Sequence, residues 1–398
     1  WGRRRSPQPS WHHRAVSHSP ANRSELIELV RQWHQTATPW IPSGLGHHLH
    51  WGAPLDPNHA VLSCRHLDRV IDHAVDDLTI SVEAGMPLPM LQQLLADQGQ
   101  WLAMDQPRGC QPSSIGGLVA RGLAGGLRQR HLGVRDQIIG ISLVRSDGIE
   151  ARAGGRVVKN VAGYDLMRLL CGSWGSLALI TELTLRLQPI RPAQAALVLT
   201  GDLKAQEGFR AELMRSTLTP ERCDWQRQGE GPWRLRLVLS SVSDQAVEDQ
   251  LKRLEALAHE QQLSAERQPC ADALTTPLDA SPSAQLVRLV LPPAQLHRLL
   301  RDEAMRALKP WTWELAAGAG CGDGWCDATT PDHQLEALRR SVIRLGGEMT
   351  LLKRAAGSTV PVWLDRPSRP LIEAVKRQFD PKLQLSRGRL PGVNQETL

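Results

Sequence analysis

The first residues whose types suit a chemical role form the loop Ser43-Gly44-Leu45-Gly46-His47. Glycines let a backbone turn sharply and come close to a ligand, and inward-facing N–H groups bind phosphate. The loop is not a Rossmann fingerprint, because Leu49 stands where G-x-G-x-x-G needs its third glycine. The chain also lacks a Walker G-x-x-x-x-G-K-[ST] motif, which disfavours an NTPase. Taken alone, the loop is either a tight turn or a phosphate-binding segment.

A second glycine loop follows at Pro107–Gly126. The hydroxyls of Ser113 and Ser114 either donate to a phosphate or cap a helix. Gly116 and Gly117 leave no side chain between the backbone and a ligand. A helix that starts directly after the serines would point its free N–H groups at an anion. The alternative is a close helix–strand contact that requires small residues.

The third stretch is Gly155–Leu187, where a glycine turn, a short helix, another glycine turn and an alternating strand follow one another. Such an order is typical of a phosphate or nucleotide site. Lys159, Asn160 and Tyr164 lie within it and either contact a ligand or anchor the loop. Tyr164 is the only tyrosine of the chain.

Short elements must position these loops. Apolar spacing predicts a helix over Ser24–Ala37 with Asn22 or Ser24 as its cap. Ile138–Val144 and Ile149–Ala153 flank Asp147-Gly148 and predict a β-hairpin. Strands and helices that alternate with glycine loops indicate an α+β or α/β core with the ligand at the loops. The composition changes near Pro189–Pro192, and the remainder predicts a separate α+β domain.

Composition excludes several classes of protein. The chain has 398 residues, 22% charged residues and a net charge of +6 with scattered arginines, so we expect no nucleic-acid partner. No apolar run is long enough for a transmembrane helix. Seven irregularly spaced cysteines favour reduced thiols and exclude an iron–sulfur cluster. Cys321 and Cys326 are expected to flank an Asp-Gly hairpin turn, with a metal clip or disulfide as the alternative.

Five motifs occur in a fixed order: PSGLGHHLHWG, VEAGMPLPMLQQLLADQGQ, QPSSIGGLVA, HLGVRDQIIGISLV and KNVAGYDLMRLLCGSWGSLALITELTLRLQP. Over about Ile41–Pro189 this order resembles the vanillyl-alcohol-oxidase/PCMH-type FAD-binding superfamily. Within it, the segment VVKNVAGYDLMRLLCGS is most similar to the family of FAD-binding subunits of bacterial glycolate oxidase (glycolate dehydrogenase). A weaker resemblance covers GGEMTLLKRA, KRQFDP and GRLPG near the end.

The resemblance implies an α+β fold with a two-lobed PCMH-type FAD-binding domain, followed by a smaller α+β domain that carries an antiparallel sheet. We expect a disordered basic tail at 1–22, the FAD-binding domain at 23–190 and the second domain at 191–398. FAD would lie extended between the two lobes. The second domain would cover the flavin ring.

The resemblance also assigns residues to the cofactor. The first loop is expected at the pyrophosphate, the second along the pyrophosphate and flavin, an Arg-Asp pair near the nucleotide, and the last turn at the adenine end. In that order these residues are Gly44, Leu45, Gly46 and His47; Ser113, Ser114, Gly116 and Gly117; Arg135 and Asp136; and Gly175, Leu179, Ile180 and Thr181.

Two features depart from the family pattern. His47 stands where many members have Ser or Thr, and in some covalent flavoproteins of the superfamily a histidine near this place bonds the flavin 8α-methyl carbon. Subunits of the resembled family are expected to hold FAD noncovalently, so covalent attachment is the alternative. The terminal LQLSRGRLPG replaces the more usual Phe-Asn-Pro-Gly-Arg.

The related catalytic subunits place a metal in a Gly-His-x-Gly-Asp-x-x-x-His-like run, whereas His259, His297 and His333 are widely separated here. The resemblance therefore implies a flavin subunit that works beside a catalytic flavin subunit and an iron–sulfur subunit. That complex would oxidise glycolate, a small hydroxy acid, to glyoxylate. No catalytic residue and no metal ligand is assigned in this chain. The alternatives are a self-sufficient FAD-dependent dehydrogenase of another small hydroxy acid or alcohol, and a scaffold without FAD. We expect a cytoplasmic location and leave open a peripheral contact with the inner face of a membrane.

Overall fold

The computed structural model describes residues 16–54, 56, 58–105, 111–155, 166–268 and 285–394. The elements before residue 191 are β1 (Ser17–His18), α1 (Arg23–Gln35), β2 (Trp40–Ser43), β3 (Ala60–Ser63), β4 (Val70–Ala74), β5 (Thr79–Glu83), α2 (Leu88–Ala96), β6 (Gln100–Trp101), α3 (Ile115–Arg121), α4 (Arg128–His131), a 3-10 helix (Val134–Gln137), β7 (Ile138–Val144), β8 (Glu150–Gly154), α5 (Leu166–Leu170), β9 (Leu179–Arg186) and β10 (Gln188–Pro189).

The elements after residue 191 are β11 (Ala193–Thr200), α6 (Leu203–Arg215), β12 (Arg222–Arg227), β13 (Arg234–Ser241), α7 (Asp244–Glu260), β14 (Ser264–Gln268), β15 (Gln285–Val290), α8 (Pro293–Leu300), α9 (Glu303–Ala307), β16 (Thr312–Ala316), β17 (Cys321–Cys326), α10 (Asp332–Arg344), β18 (Glu348–Lys353) and α11 (Arg369–Phe379). We call the first group the N-terminal half and the second group the C-terminal half.

The N-terminal half has two lobes. One is a parallel sheet in the order β1-β3-β2, which packs on α1 through Leu26, Val30 and Trp40. The other is an antiparallel sheet in the order β4-β5-β9-β7-β8, and its core includes residues of α2 and α3. A pair of short strands, β6 and β10, closes one end. The first loop leaves the first lobe and the second loop leads into α3, so both loops meet between the lobes.

Local rules account for the elements that the sequence predicted. The amide oxygen of Asn22 accepts the Glu25 N–H at 3.0 Å, so Asn22 is the cap of α1. Asp147-Gly148 forms the turn between β7 and β8, and Gly148 has the positive φ of +77° that such turns require. Both predictions are confirmed.

The C-terminal half is built on one antiparallel sheet in the order β14-β11-β13-β12-β16-β17-β15-β18. Helices α6, α7, α8 and α10 contribute to its apolar core, which includes Trp225, Trp233, Trp311 and Trp313. The predicted α+β class and the antiparallel sheet are confirmed. The four tryptophans are buried core residues.

The last described residues return to the N-terminal half. We call residues 380–394 the C-terminal strap. The Trp40 N–H donates to Gln384 O at 2.9 Å, the Ser386 N–H donates to Trp40 O at 3.0 Å, and Leu385 belongs to the core of the first lobe. The sequence placed these residues in the second domain, and the domain limits remain a prediction; by its packing the strap belongs with the first lobe.

Two local predictions differ from the structure. Ser17–His18 lies within the tail that the sequence predicted to be disordered, but it pairs with Val61-Leu62 of β3. Residues 1–15 lie outside the described residues. Cys321–Cys326 is a single strand rather than the two sides of a turn, because its glycines fit against neighbouring strands: a Cβ at Gly324 would lie 2.2 Å from the Trp313 ring. The described cysteines (Cys64, Cys171, Cys223, Cys321 and Cys326) are free thiols.

Candidate functional site

A cavity of about 780 Å³, open to solvent, lies between the two lobes. Eleven of the fourteen residues that the sequence assigned to a ligand line it, and they come from all three glycine-rich stretches. They are Gly44, Leu45, Gly46, His47, Ser113, Ser114, Gly116, Gly117, Gly175, Leu179 and Ile180. The structure thus brings together loops that are separated by more than a hundred residues in the chain.

The first loop shows why its glycines are needed. A Cβ on Gly44 would lie 1.9 Å from the Ser114 hydroxyl oxygen, and Gly46 has a φ of +84°. His47 Nδ1 lies 2.8 Å from Pro112 O. A carbonyl oxygen only accepts, so Nδ1 carries the proton of this hydrogen bond. The two glycine loops therefore contact each other directly.

The second loop combines both roles that the sequence left open. The Gly117 N–H donates to the Ser114 hydroxyl oxygen at 3.1 Å, so Ser114 is the cap of α3. A Cβ on Gly116 would lie 2.7 Å from the Ala84 Cβ, so this glycine permits a close helix–strand contact. Because Gly116 also lines the cavity, the helix packing and the open cradle depend on the same residue.

The third stretch completes the far side of the cavity. Gly175 turns at a φ of +69°, and its carbonyl accepts from the Ser386 hydroxyl of the C-terminal strap at 3.1 Å. Leu179 and Ile180 start β9 and face the cavity. Thr181 follows them, buried, and its hydroxyl oxygen has no hydrogen-bond partner. Lys159, Asn160 and Tyr164 lie outside the described residues.

The Arg-Asp pair is placed differently. Arg135 and Asp136 lie in the 3-10 helix and do not line the cavity. The Asp136 carboxylate accepts the Gly133 N–H at 2.9 Å and faces the Arg135 guanidinium at 3.5 Å, which leaves Arg135 half exposed. Their visible role is to fix the turn before β7. A role for this pair, and for Thr181, near a nucleotide remains a prediction.

Three ionisable residues that the sequence did not single out also line the cavity: His48, Arg121 and Arg389. An arginine within the small-residue segment QPSSIGGLVARGLAGG is a signal for Arg121. No local pattern marks Arg389, because it reaches the cavity from the C-terminal strap. His48 is 8% exposed, and its Nε2 has no hydrogen-bond partner.

The electrostatics of the cavity are those of an anion site. Burial, together with the neighbouring charge of Arg121, lowers the pKa of His48 to about 2, so His48 is neutral at physiological pH. Burial also lowers the pKa of Arg121 to about 10. Burial and the charge of Arg121 lower the pKa of Arg389 to about 9. Two arginines thus remain charged within one cavity and favour a negatively charged ligand.

These residues fit a diphosphate. A Cβ at Gly44 or Gly116 would collide with protein atoms, so these glycines let the loops and α3 pack closely around the cavity that they line. The donors of Arg121 and Arg389 match phosphate oxygens in type and charge. Leu179 and Ile180 line the same cavity, and their side chains belong to the cores of the two lobes.

Comparison with known proteins indicates the cofactor of the chain. Residues 15–154 match the family model of the FAD binding domain. The chain carries an FAD-binding domain. It is 28% identical over 365 residues to glycolate oxidase subunit GlcE of Escherichia coli, an alignment that spans 92% of this chain and 96% of the relative. It is 32% identical over 172 residues to glycolate oxidase subunit GlcD of Bacillus subtilis, which spans 43% of this chain and 36% of that protein.

Solved structures agree with the fold. An alkyldihydroxyacetonephosphate synthase superposes with a TM-score of 0.68 at 16% identity, over 92% of this chain and 76% of that chain. At this identity the likeness shows the fold alone. The family match and the curated relatives, not this likeness, indicate an FAD-dependent oxidoreductase.

A second, smaller chamber lies where the FAD-binding domain meets the C-terminal sheet. It is bounded by Gly125-Gly126 on one side and by β12, β16 and β17 on the other. Arg222, which is 3% exposed, donates to Asp105 at 3.1 Å, to Asp224 at 2.8 Å and to Glu314 at 3.0 Å. We call these four residues the Arg222 cluster. It joins the two halves because Asp105 precedes α3 and the others lie in the sheet.

The remaining arginine of this chamber is also paired. Arg288 donates to the Asp323 carboxylate at 3.0 Å across the β15–β17 ladder. In the described part of the chain, no group of three His, Cys, Asp or Glu side chains is arranged to hold a metal ion. A search of the same residues finds no helix with the length and apolar character that crossing a membrane requires.

Proposed function

We propose that this chain is the FAD-binding subunit of a glycolate oxidase (glycolate dehydrogenase) complex. It takes part in the flavin-mediated oxidation of glycolate to glyoxylate beside a catalytic flavin subunit and an iron–sulfur subunit. The similarity to subunit GlcE over almost the full length of both chains supports this assignment. The shorter match to subunit GlcD supports a relationship with a second flavin subunit.

The observation that carries the proposal is that the arginines of the second chamber are already paired with carboxylates of the chain. Oxidation of a hydroxy acid requires a cation for the carboxylate, a base for the hydroxyl proton and a flavin to accept the hydride. The cations among the described residues of this chamber are Arg222 and Arg288. Both are buried and donate to carboxylates of the chain itself. A substrate carboxylate would have to displace one of these partners, so we infer that glycolate reacts on the catalytic subunit.

The test starts from the full-length chain purified with its FAD and mixed with glycolate under anaerobic conditions. We expect the oxidised flavin spectrum to persist, while dithionite, as the control, bleaches it. We expect a second flavoprotein and an iron–sulfur protein to co-purify with the tagged chain when it is isolated from its own host. In that assembly glycolate should bleach the flavin absorbance and reduce an added dye.

Three outcomes would contradict the proposal. Stoichiometric bleaching of the isolated chain by glycolate would favour a self-sufficient dehydrogenase. If neither a flavoprotein nor an iron–sulfur protein co-purifies with the chain from its host, the proposal that it is a subunit of such a complex is wrong. A colourless chain that binds both partners and takes up no added FAD would favour the scaffold alternative.

A further inference from the structure

Two arginines, the partly buried Arg121 and the buried Arg389, converge on the cavity from distant parts of the chain. Arg121 ends α3, whereas Arg389 belongs to the C-terminal strap and is 5% exposed. Among the described residues neither guanidinium is paired with a carboxylate, and the charge of Arg121 acts on Arg389 unfavourably. Placing two like charges together in a buried site is costly without a counter-anion.

The arginines are held in orientations that leave donors free. One terminal nitrogen of Arg121 donates to the Ser113 hydroxyl, and its guanidinium lies 5.3 Å from the centre of the Trp51 ring. The Nε of Arg121 has no partner. Arg389 donates from Nε to Ala53 O at 2.9 Å and from a terminal nitrogen to Leu49 O at 2.5 Å. Each guanidinium has five N–H groups, so both retain donors for an anion.

We propose that Arg121 and Arg389 form a two-arginine clamp on the diphosphate of FAD, so that the C-terminal strap is part of the cofactor site. A diphosphate carries two negative charges and matches two adjacent guanidinium groups. The glycine loops approach the same region through backbone atoms, which provides the second wall of the clamp. Backbone loops position the ligand, and the arginines supply the charge.

Hydrogen bonds of Lys376 hold the start of the strap, the segment that carries Arg389, against the cavity wall. Lys376 Nζ donates to Ser176 O and to the Asp380 carboxylate, both at 2.6 Å, and to Leu385 O at 2.8 Å. These bonds tie α11 and the start of the strap to the turn at Gly175. The strap is therefore attached to the cavity wall before it reaches Arg389, and FAD binding should hold its remaining residues in place.

The binding test compares Arg121→Gln and Arg389→Gln with Arg387→Gln as the matched control. Arg387 lies two residues away in the same strap, is exposed and donates to Leu383 O. Apoprotein is titrated with FAD, with riboflavin (which has no phosphate) and with inorganic pyrophosphate. We expect each glutamine variant of the clamp to raise the FAD Kd at least about tenfold. The control should stay within about twofold, and riboflavin should bind all forms alike.

A second measurement follows the strap itself. Trypsin can cleave after Lys382 and Arg387, which are exposed in the strap. We expect FAD to slow this cleavage in the wild type and in a control that retains Arg389, and to slow it less in Arg389→Gln. This readout is independent of enzyme activity. It also requires FAD binding but not the complex, so it can fail while the proposed function holds.

The proposal is overturned if Arg389→Gln binds FAD with the wild-type Kd, or if riboflavin affinity falls as much as FAD affinity. Binding of pyrophosphate without any effect of the variants on FAD would assign the arginines to a free anion instead. If a glutamine variant does not fold, Arg389→Lys and Arg121→Lys keep the charge and should bind FAD with intermediate Kd values. In the wild-type apoprotein, millimolar pyrophosphate should raise the melting temperature, and the absence of any rise would refute the clamp.

Discussion

The bond network of Lys376 gives the sharpest prediction about stability. Lys376 is buried, and its ammonium group contacts Ser176 O, Leu385 O and the Asp380 carboxylate. Asp380 is 0% exposed, and its Oδ1 has no partner. In a Lys376→Met variant this carboxylate keeps only the Leu385 N–H, which donates at 2.7 Å.

The expected loss follows from the burial of the remaining charge. Removal of one partner from a buried ion pair costs about 3–5 kcal/mol, because the other charge stays desolvated. For a domain of this size, that loss lowers the melting temperature by roughly 6–20 °C. The matched control is Lys382→Met, since Lys382 is exposed and donates to His34 O alone. We expect the control to change the free energy of unfolding by less than about 0.5 kcal/mol.

A double variant separates the charge from the packing. Lys376→Met with Asp380→Leu removes both charges and leaves the Leu385 N–H without an acceptor, which costs about 1–3 kcal/mol. The double variant should therefore be more stable than the single one. Thermal unfolding followed by circular dichroism and by tryptophan fluorescence measures all three variants. A single variant within about 1 kcal/mol of the wild type, or a double variant less stable than the single, would refute the reasoning.

Three other predictions concern the cavity, the interface and the cofactor. Gly44→Ala places a Cβ against the Ser114 hydroxyl, so thermal melts should show a free energy of unfolding lower by about 1–3 kcal/mol. Absorbance should also show less bound FAD. Wild-type values of both would contradict the role of Gly44 in shaping the cavity. Burial raises the pKa of Glu221, but the hydrogen bond from His131 and the nearby charges outweigh burial and bring this pKa below the usual 4.5. The free energy of unfolding should therefore fall as the pH falls below 4.5, and it should fall less in Glu221→Gln. Parallel pH profiles of the two proteins would contradict this. Acid precipitation should release yellow FAD to the supernatant, whereas colour that stays in the pellet, and is lost in His47→Ala, would show covalent attachment.

The sequence predicted the parts of the site that depend on the local backbone. Glycine loops can be recognised in the sequence because Gly46 and Gly175 have positive φ values and the position of Gly44 leaves no room for a side chain. These requirements are met within a few residues, so the motif order was enough to place eleven residues in one cavity. The cap of α1 and the β7–β8 hairpin were predictable for the same reason.

The rest depends on contacts between distant segments. Arg389 reaches the cavity only because the strap returns to Trp40 and Gly175, and no local pattern encodes that return. The error at Cys321–Cys326 has a similar origin. An Asp-Gly pair favours a turn, but the close approach of Glu314 and Trp313 across the sheet gives these glycines a role within a strand.

The Arg222 cluster supports the role that we propose beside a catalytic subunit. Its carboxylates are fixed to the same chain, so each faces Arg222 at a high effective concentration, whereas a hydroxy acid must compete from free solution. Effective concentrations are about millimolar even for flexible tethers. Asp224 is held more firmly than that, because it lies two residues from Arg222 in the same strand, β12. Displacement of Asp224 would also leave a buried carboxylate without its cation. The network that joins the two halves therefore opposes substrate binding at the same place. Under the proposed function, a chamber closed by the chain's own carboxylates therefore suits electron exchange with partner subunits better than binding of glycolate.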